Sequence, residues 1–83
     1  MKLLYFAWLK QKIGVASEEV TLPDDVGDVA GLVSWLKGRG DNYADALKDD
    51  AIIRVAVNQA YAKPATPIAE GDEIALFPPV TGG

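Results

Sequence analysis

Eighty-three residues with a formal net charge of −4, 49% hydrophobic content, no cysteine and no histidine describe one small globular domain, with no room for a second module. The missing residues exclude disulfides, cysteine nucleophiles, the usual zinc ligand sets and every imidazole base, so no metal site is expected. The acidic balance without a Lys/Arg cluster argues against nucleic acid, and no apolar run approaches the roughly 20 residues of a membrane span. The opening "MKLLYFAWLK" has the look of a signal peptide, but its apolar stretch ends at Lys10 and Gln11 with no small-residue cleavage site after it. The expected location is therefore the cytoplasm.

Residues 2–9, "KLLYFAWL", fit a strand covered on both faces, with Leu3, Tyr5 and Ala7 on one side and Leu4, Phe6 and Trp8 on the other. "QKIG" at 11–14 supplies a turn in which Gly14 is free to take a positive φ, and "SEEVTL" at 17–22 reads as the returning strand of a hairpin. Pro23 and "DDVGD" break the pattern. Val29, Leu32, Val33 and Leu36 then fall at i, i+3, i+4 and i+7, one apolar stripe of a helix. Asp28 is its expected N-cap, and Gly38 or Gly40 is expected to end it in the left-handed conformation.

"DNYADALKDD" at 41–50 reads as a short helical turn or loop, with Tyr43, Ala44 and Leu47 as its apolar contacts. "AIIRVAVN" at 51–58 is a third strand, with Ile53, Val55 and Val57 on one face and Ile52, Arg54 and Ala56 on the other. Asn58-Gln59 turns the chain into a short edge strand near "AYAK", whose pairing Pro64 and Pro67 limit. "EIALF" at 73–77 is the last strand. One main helix and four or five strands predict an α+β fold, a single mixed sheet curled around the helix with the first and last strands in its middle.

Three short motifs have bland explanations. "RGD" at 39–41 fits a helix-terminating turn better than adhesion. The pairs Glu18-Glu19, Asp24-Asp25 and Asp49-Asp50 read as solvated surface, because neighbours on a strand face opposite ways. No glycine-rich loop ends in Gly-Lys-Ser/Thr, so nucleotide binding by this chain is not expected.

The ending "FPPVTGG" is less ordinary, since a Gly-Gly end arises by chance in only about one chain in two hundred. With "VNQAY" at 57–61 and "EGDEIALFPP" at 70–79, the terminal "PPVTGG" resembles the small, sulfur-carrying subunit of molybdopterin synthase. That family has the ubiquitin-like β-grasp fold, and the elements read above follow its order along the whole chain. Thiamine-pathway sulfur carriers are similar in fold and also end Gly-Gly, but are typically shorter and lack the proline pair.

The resemblance implies a chemical role for the terminus. An adenylating partner related to ubiquitin-activating enzymes, using ATP and magnesium, would activate the Gly83 carboxylate; a sulfur donor would then convert it to a thiocarboxylate. That sulfur would pass to a pterin precursor in the large subunit of molybdopterin synthase, which supplies the catalytic side chains. The chain would be no enzyme on its own and would bind no cofactor. The residues fit this role: a cysteine-free chain has no side-chain persulfide to offer, and Met1 is only a thioether. Residues 1–77 would form the domain and 78–83 a flexible tail. Pro78 and Pro79 would hold Val80, Thr81, Gly82 and Gly83 off the globule, and six extended residues reach about 20 Å. Gly82 and Gly83, lacking Cβ, would pass a narrow channel.

The resemblance also implies docking through an apolar patch on the open sheet face, at Phe6, Tyr61 and Phe77. Core filling is the competing explanation for these rings, as open as docking for Phe6 and weaker for Tyr61 and Phe77, which lie near an edge and the tail. Two other classes remain: a ubiquitin-like modifier that joins Gly83 to a lysine of another protein, and a binding module whose Gly-Gly end is inert.

Overall fold

The structure, a computed structural model, describes residues 1–79. In chain order it contains β1 (Lys2–Tyr5), α1 (Ala7–Ile13), β2 (Ser17–Glu19), α2 (Val29–Lys37) and α3 (Asp41–Ala46). A 3-10 turn (Asp50–Ile52), β3 (Arg54–Val57), β4 (Ala60–Tyr61) and β5 (Glu73–Phe77) follow. The five strands form one sheet in the order β2-β1-β5-β3-β4. β1 and β5 run parallel in the centre, and the other pairs are antiparallel. This is the mixed sheet of a ubiquitin-like β-grasp fold, with the first and last strands central as expected.

The register sorts the side chains. Leu3 lies opposite Ile74, Tyr5 opposite Leu76, and Val55 opposite Leu76 on the other flank, so one sheet face is continuously apolar. Against it α2 packs Val29, Leu32, Val33 and Leu36, all buried. Each fully buried leucine contributes about 1.5–3 kcal/mol relative to an exposed one. The Asp28 side chain caps α2, accepting from the Gly31 amide at 2.7 Å. The loop after β4 covers the same helix end: the Pro64 and Thr66 carbonyls accept from the Ala30 and Val29 amides at 2.9 and 3.1 Å.

The first strand is shorter than expected. It stops at Tyr5, and 7–13 form a helix instead of the rest of a strand and a turn. A continuous apolar run has no period that separates strand from helix. The deciding features are Leu9 and Ile13, buried at i and i+4, and Gly14, whose φ of 101° makes a left-handed C-terminal cap with its amide donating to the Lys10 carbonyl at 2.8 Å. Ala7, expected beside Leu3 and Tyr5, is exposed at φ 55°, and Trp8 is half-buried in the helix. β1 and β2 still pair antiparallel, but through a helix rather than a tight turn, and β2 ends at Glu19 rather than Leu22.

Smaller differences follow the same logic. Residues 41–46 are helical, while 50–52 form a turn that leaves Ile52 exposed, so the third strand begins only at Arg54. Gly38 ends α2 in the right-handed region at φ −82°, and Gly40 is extended, so neither uses the left-handed freedom expected of it. Two further helices therefore accompany the one predicted. Among the described residues no helix is long and apolar enough to cross a membrane.

Candidate docking face and chain terminus

Alternation along the strands places Leu4, Ala75, Phe77, Arg54, Ala56 and Tyr61 on the face away from the helices. Leu4 lies opposite Ala75, Arg54 opposite Phe77, and Ala56 opposite both Ala75 and Tyr61. Tyr61 is 78% exposed and its ring meets Phe77 at 5.9 Å between centroids, tilted by 51°. Phe6 continues the β1 register, its amide donating to the Leu76 carbonyl at 3.2 Å, and is 48% exposed. Phe6 and Tyr61 are thus surface residues, and Phe77 is partly covered by Tyr61. Ala56 is buried although it lies on the open face.

The β3–β4 turn is why Tyr61 stands where it does. Asn58 and Gln59 both have positive φ, 50° and 72°, the geometry of a type I′ hairpin turn, which matches the twist of the flanking strands. Asn58 also clamps this turn to the start of β5. Its side-chain amide donates to Asp72 Oδ1 at 3.0 Å, its side-chain oxygen accepts from the Glu73 amide at 3.0 Å, and its own amide donates to the Glu73 carbonyl at 2.8 Å. The Asp72 carboxyl is held below its usual range by the hydrogen bonds from Asn58 and the Ala69 amide. "VNQ" and "GDE" are therefore one structural unit that aligns Tyr61 and Phe77. The sequence pattern signals a turn at Asn58 but not the clamp, whose partners lie 14 and 15 residues on.

β5 delivers the chain from Phe77 into Pro78 and Pro79, both half-buried. Val80, Thr81, Gly82 and Gly83, the remainder of the expected tail, lie outside the described residues. Beside Pro79 opens a cavity of about 800 Å³ between β3, β4 and α2, whose walls include Val33, Ile53, Tyr61 and Phe77. Among the described residues no group of three or more carboxylates is placed to hold a metal ion.

The opposite edge holds a polar cluster where the sequence pattern predicts only solvated surface. Glu18 Oε2 accepts from the Tyr5 and Tyr43 hydroxyls at 2.7 Å each, and Oε1 accepts from Arg39 at 2.8 Å. The Arg39 guanidinium lies 4.9 Å from the Tyr43 ring centroid and 5.2 Å from that of Trp35. Burial pushes the Glu18 carboxyl upward, but its three donors outweigh that and hold it below its usual value. Burial, reinforced by the adjoining carboxylate, pushes the Tyr5 hydroxyl far above the usual phenol range. This cluster ties β1, β2, α2 and α3 together.

The fold and the proline-led terminus beside an exposed aromatic face define a β-grasp domain of the carrier type. The chain belongs to the ThiS family, whose pattern matches residues 3–83. It is 37% identical over 83 residues to the molybdopterin synthase sulfur carrier subunit of Escherichia coli, covering 100% of this chain and 99% of that one. The human protein of the same name is 32% identical over 88 residues, covering 100% of this chain and 93% of its own. Among solved structures, the small archaeal modifier protein 1 of Haloferax volcanii superposes with a TM-score of 0.75 at 31% identity, covering 96% of this chain and 97% of that one.

Proposed function

We propose that this chain is the sulfur carrier of molybdopterin synthase and that its working group is the Gly83 carboxylate. The observation that carries the reading is the 37% identity to the E. coli sulfur carrier subunit, which covers 100% of this chain and 99% of that one. The absence of cysteine supports it by leaving the terminus as the position for a reactive sulfur. In the first step a carboxylate oxygen attacks the α-phosphorus of ATP in a magnesium-dependent adenylating partner, and pyrophosphate leaves. A free carboxylate is a poor electrophile, whereas the acyl adenylate carries a good leaving group. A sulfur donor displaces AMP, leaving a thiocarboxylate at Gly83.

Residues 1–77 act as the body and 78–83 as a tail that enters the large subunit, where the sulfur attacks a carbon of the pterin precursor and the oxygen it replaces leaves as water. Hydrolysis of the resulting thioester then releases the pterin thiol and returns the Gly83 carboxylate. Phe6, Tyr61 and Phe77 form the docking face, and the setting is the cytoplasm. The test is intact mass after incubation with the organism's adenylating enzyme, ATP, magnesium and a sulfur donor. Replacement of one oxygen by sulfur, confined to the C-terminal peptide, is expected; an unchanged mass with a demonstrably active partner would overturn the reading.

A second reading is favoured by the likeness to the archaeal modifier protein. The same adenylate could be attacked by a lysine amine of another protein, giving an isopeptide and AMP. Lysine adducts bearing the chain's C-terminal peptide, found by mass spectrometry of cell extracts, would establish it. Their absence, together with thiocarboxylate in the same cells, leaves the carrier role alone.

A further inference from the structure

The cavity beside Pro79 is positively charged on a protein of net charge −4. Arg54 and Lys63 line it, both exposed, and among the described residues neither forms an ion pair. The one carboxylate in its wall, Asp50, is matched by Lys37 at 2.7 Å. Its lining also includes the apolar Val29, Val33, Ile53 and Val55. The groove therefore combines two cationic side chains with apolar wall residues, and it shares Tyr61 and Phe77 with the docking face.

Charge and continuity with the docking face point to what fills it: the groove carries two cations without ion-pair partners among the described residues and shares Tyr61 and Phe77 with that face. A partner that takes hold at Phe77 and receives the chain beyond Pro79 lies over the groove as well. We propose that the groove receives an acidic segment of the large subunit, one with at least one apolar side chain, so that Arg54 and Lys63 pair with its carboxylates while the apolar side chain enters between Val33 and Ile53. The inference rests on the sulfur-carrier reading and adds to it a charge-reading contact beside the Tyr61–Phe77 pair.

The experiment compares binding of the large subunit by wild type, Arg54→Glu/Lys63→Glu, and Lys10→Glu/Lys48→Glu. The last has the same net charge, and its changes are at exposed lysines that do not line the groove. The groove variant should bind at least tenfold more weakly and lose most of the salt dependence of wild type, whereas the control should stay within about twofold. Arg54→Gln/Lys63→Gln, which introduces no repulsion, should fall between them, and keeps the test valid if the reversal harms folding. Equal weakening by both reversals would reduce the effect to net charge and overturn the proposal, as would no weakening by either. If wild type does not bind the large subunit, the carrier reading itself fails.

A second measurement identifies the occupant. Ala30 is exposed at the groove wall, and the cysteine-free chain lets Ala30→Cys carry a single benzophenone label. Cross-links in the complex should fall in a segment of the large subunit rich in Asp and Glu. Cross-links to residues 80–83 of the same chain, or to a second copy, would overturn the proposal.

Discussion

At the β2 edge of the sheet, the polar groups face one another: Glu18 is held by Tyr5, Tyr43 and Arg39, and Arg39 is flanked by two aromatic rings. At the β4 edge the side chains face outward: Tyr61 is 78% exposed, and Arg54 and Lys63 have no ion-pair partner among the described residues. The first edge uses its hydrogen-bonding capacity internally and so contributes to stability. The second leaves apolar surface in water at a cost to the isolated domain, with solvated cations beside it, which is the arrangement expected where a partner later covers it. Substitutions at the two edges should accordingly change different measurements.

The largest effect is expected at the chain's end. Deleting Gly83, or adding one residue after it, should abolish sulfur transfer while leaving the thermal midpoint unchanged. Reaction needs the activated carbonyl within roughly 3–3.5 Å of its attacker, and losing a residue withdraws it by about 3.3–3.6 Å. An added residue turns the reactive carboxylate into a peptide bond. Transfer at the wild-type rate by either variant would remove the terminus from the mechanism.

Next in size is Phe77→Asp, expected to weaken large-subunit binding by about 2–4 kcal/mol. The fold should survive with a loss of about 0.5–1.5 kcal/mol, since the ring is only partly covered and its packing against Tyr61 is what disappears. Calorimetric titration and chemical denaturation separate the two. Unfolding with no loss of affinity per folded molecule would make Phe77 a core residue and erase the contrast between the edges.

At the other edge the expectation reverses. Glu18→Ala should destabilise by about 1–3 kcal/mol, because it strands the Tyr5 hydroxyl and the Arg39 charge, and should leave binding untouched. Its pH dependence is a sharper test. The folded-state Glu18 carboxyl titrates below its ordinary value of 4.5, so its contribution is complete above that value and is lost as pH falls through the lower folded value. Asp45, Glu70 and Asp72 are also lowered and add to the acid loss of wild type. The difference between wild type and Glu18→Gln isolates Glu18: it should shrink on acidification below that point and be flat above it. A pH-independent difference would show that the carboxylate charge plays no part.

These two edges are unequally legible in the sequence. α2 can be read because its signals are local: an i, i+3, i+4, i+7 stripe after an Asp cap. The β3–β4 hairpin and β5 are similarly readable from alternation bounded by turn residues, and the aromatic positions and terminal motif are readable by resemblance. The Glu18 cluster is not, because its partners lie 13, 21 and 25 residues away, and a Glu-Glu pair in isolation gives no sign that one member is enclosed. The groove is invisible for a related reason: Arg54 and Lys63 are ordinary surface residues until α2 and the strands form the wall behind them.

The smallest effects are expected where the chain crosses from one region to the other. Ala7, the first residue of α1, directly follows the exposed Phe6 at φ 55°, a conformation that costs an L-residue roughly 1 kcal/mol but costs glycine nothing. Ala7→Gly relieves that strain, while raising the entropy of the unfolded chain by about 0.4–1 kcal/mol. The net should be a change within about 0.5 kcal/mol of zero, much smaller than an Ala→Gly change at an ordinary helical position. Gly14 at the other end of α1 reverses the argument. Its φ is 101° and nothing lies within 4 Å of where a Cβ would stand, so Gly14→Ala meets no clash and should still lose about 1 kcal/mol from the backbone alone. Denaturant midpoints for both variants check the pair. A clear loss from Ala7→Gly with none from Gly14→Ala would mean that the left-handed turns bounding α1 are not as described, and that Phe6 is directed by something other than the strand it ends.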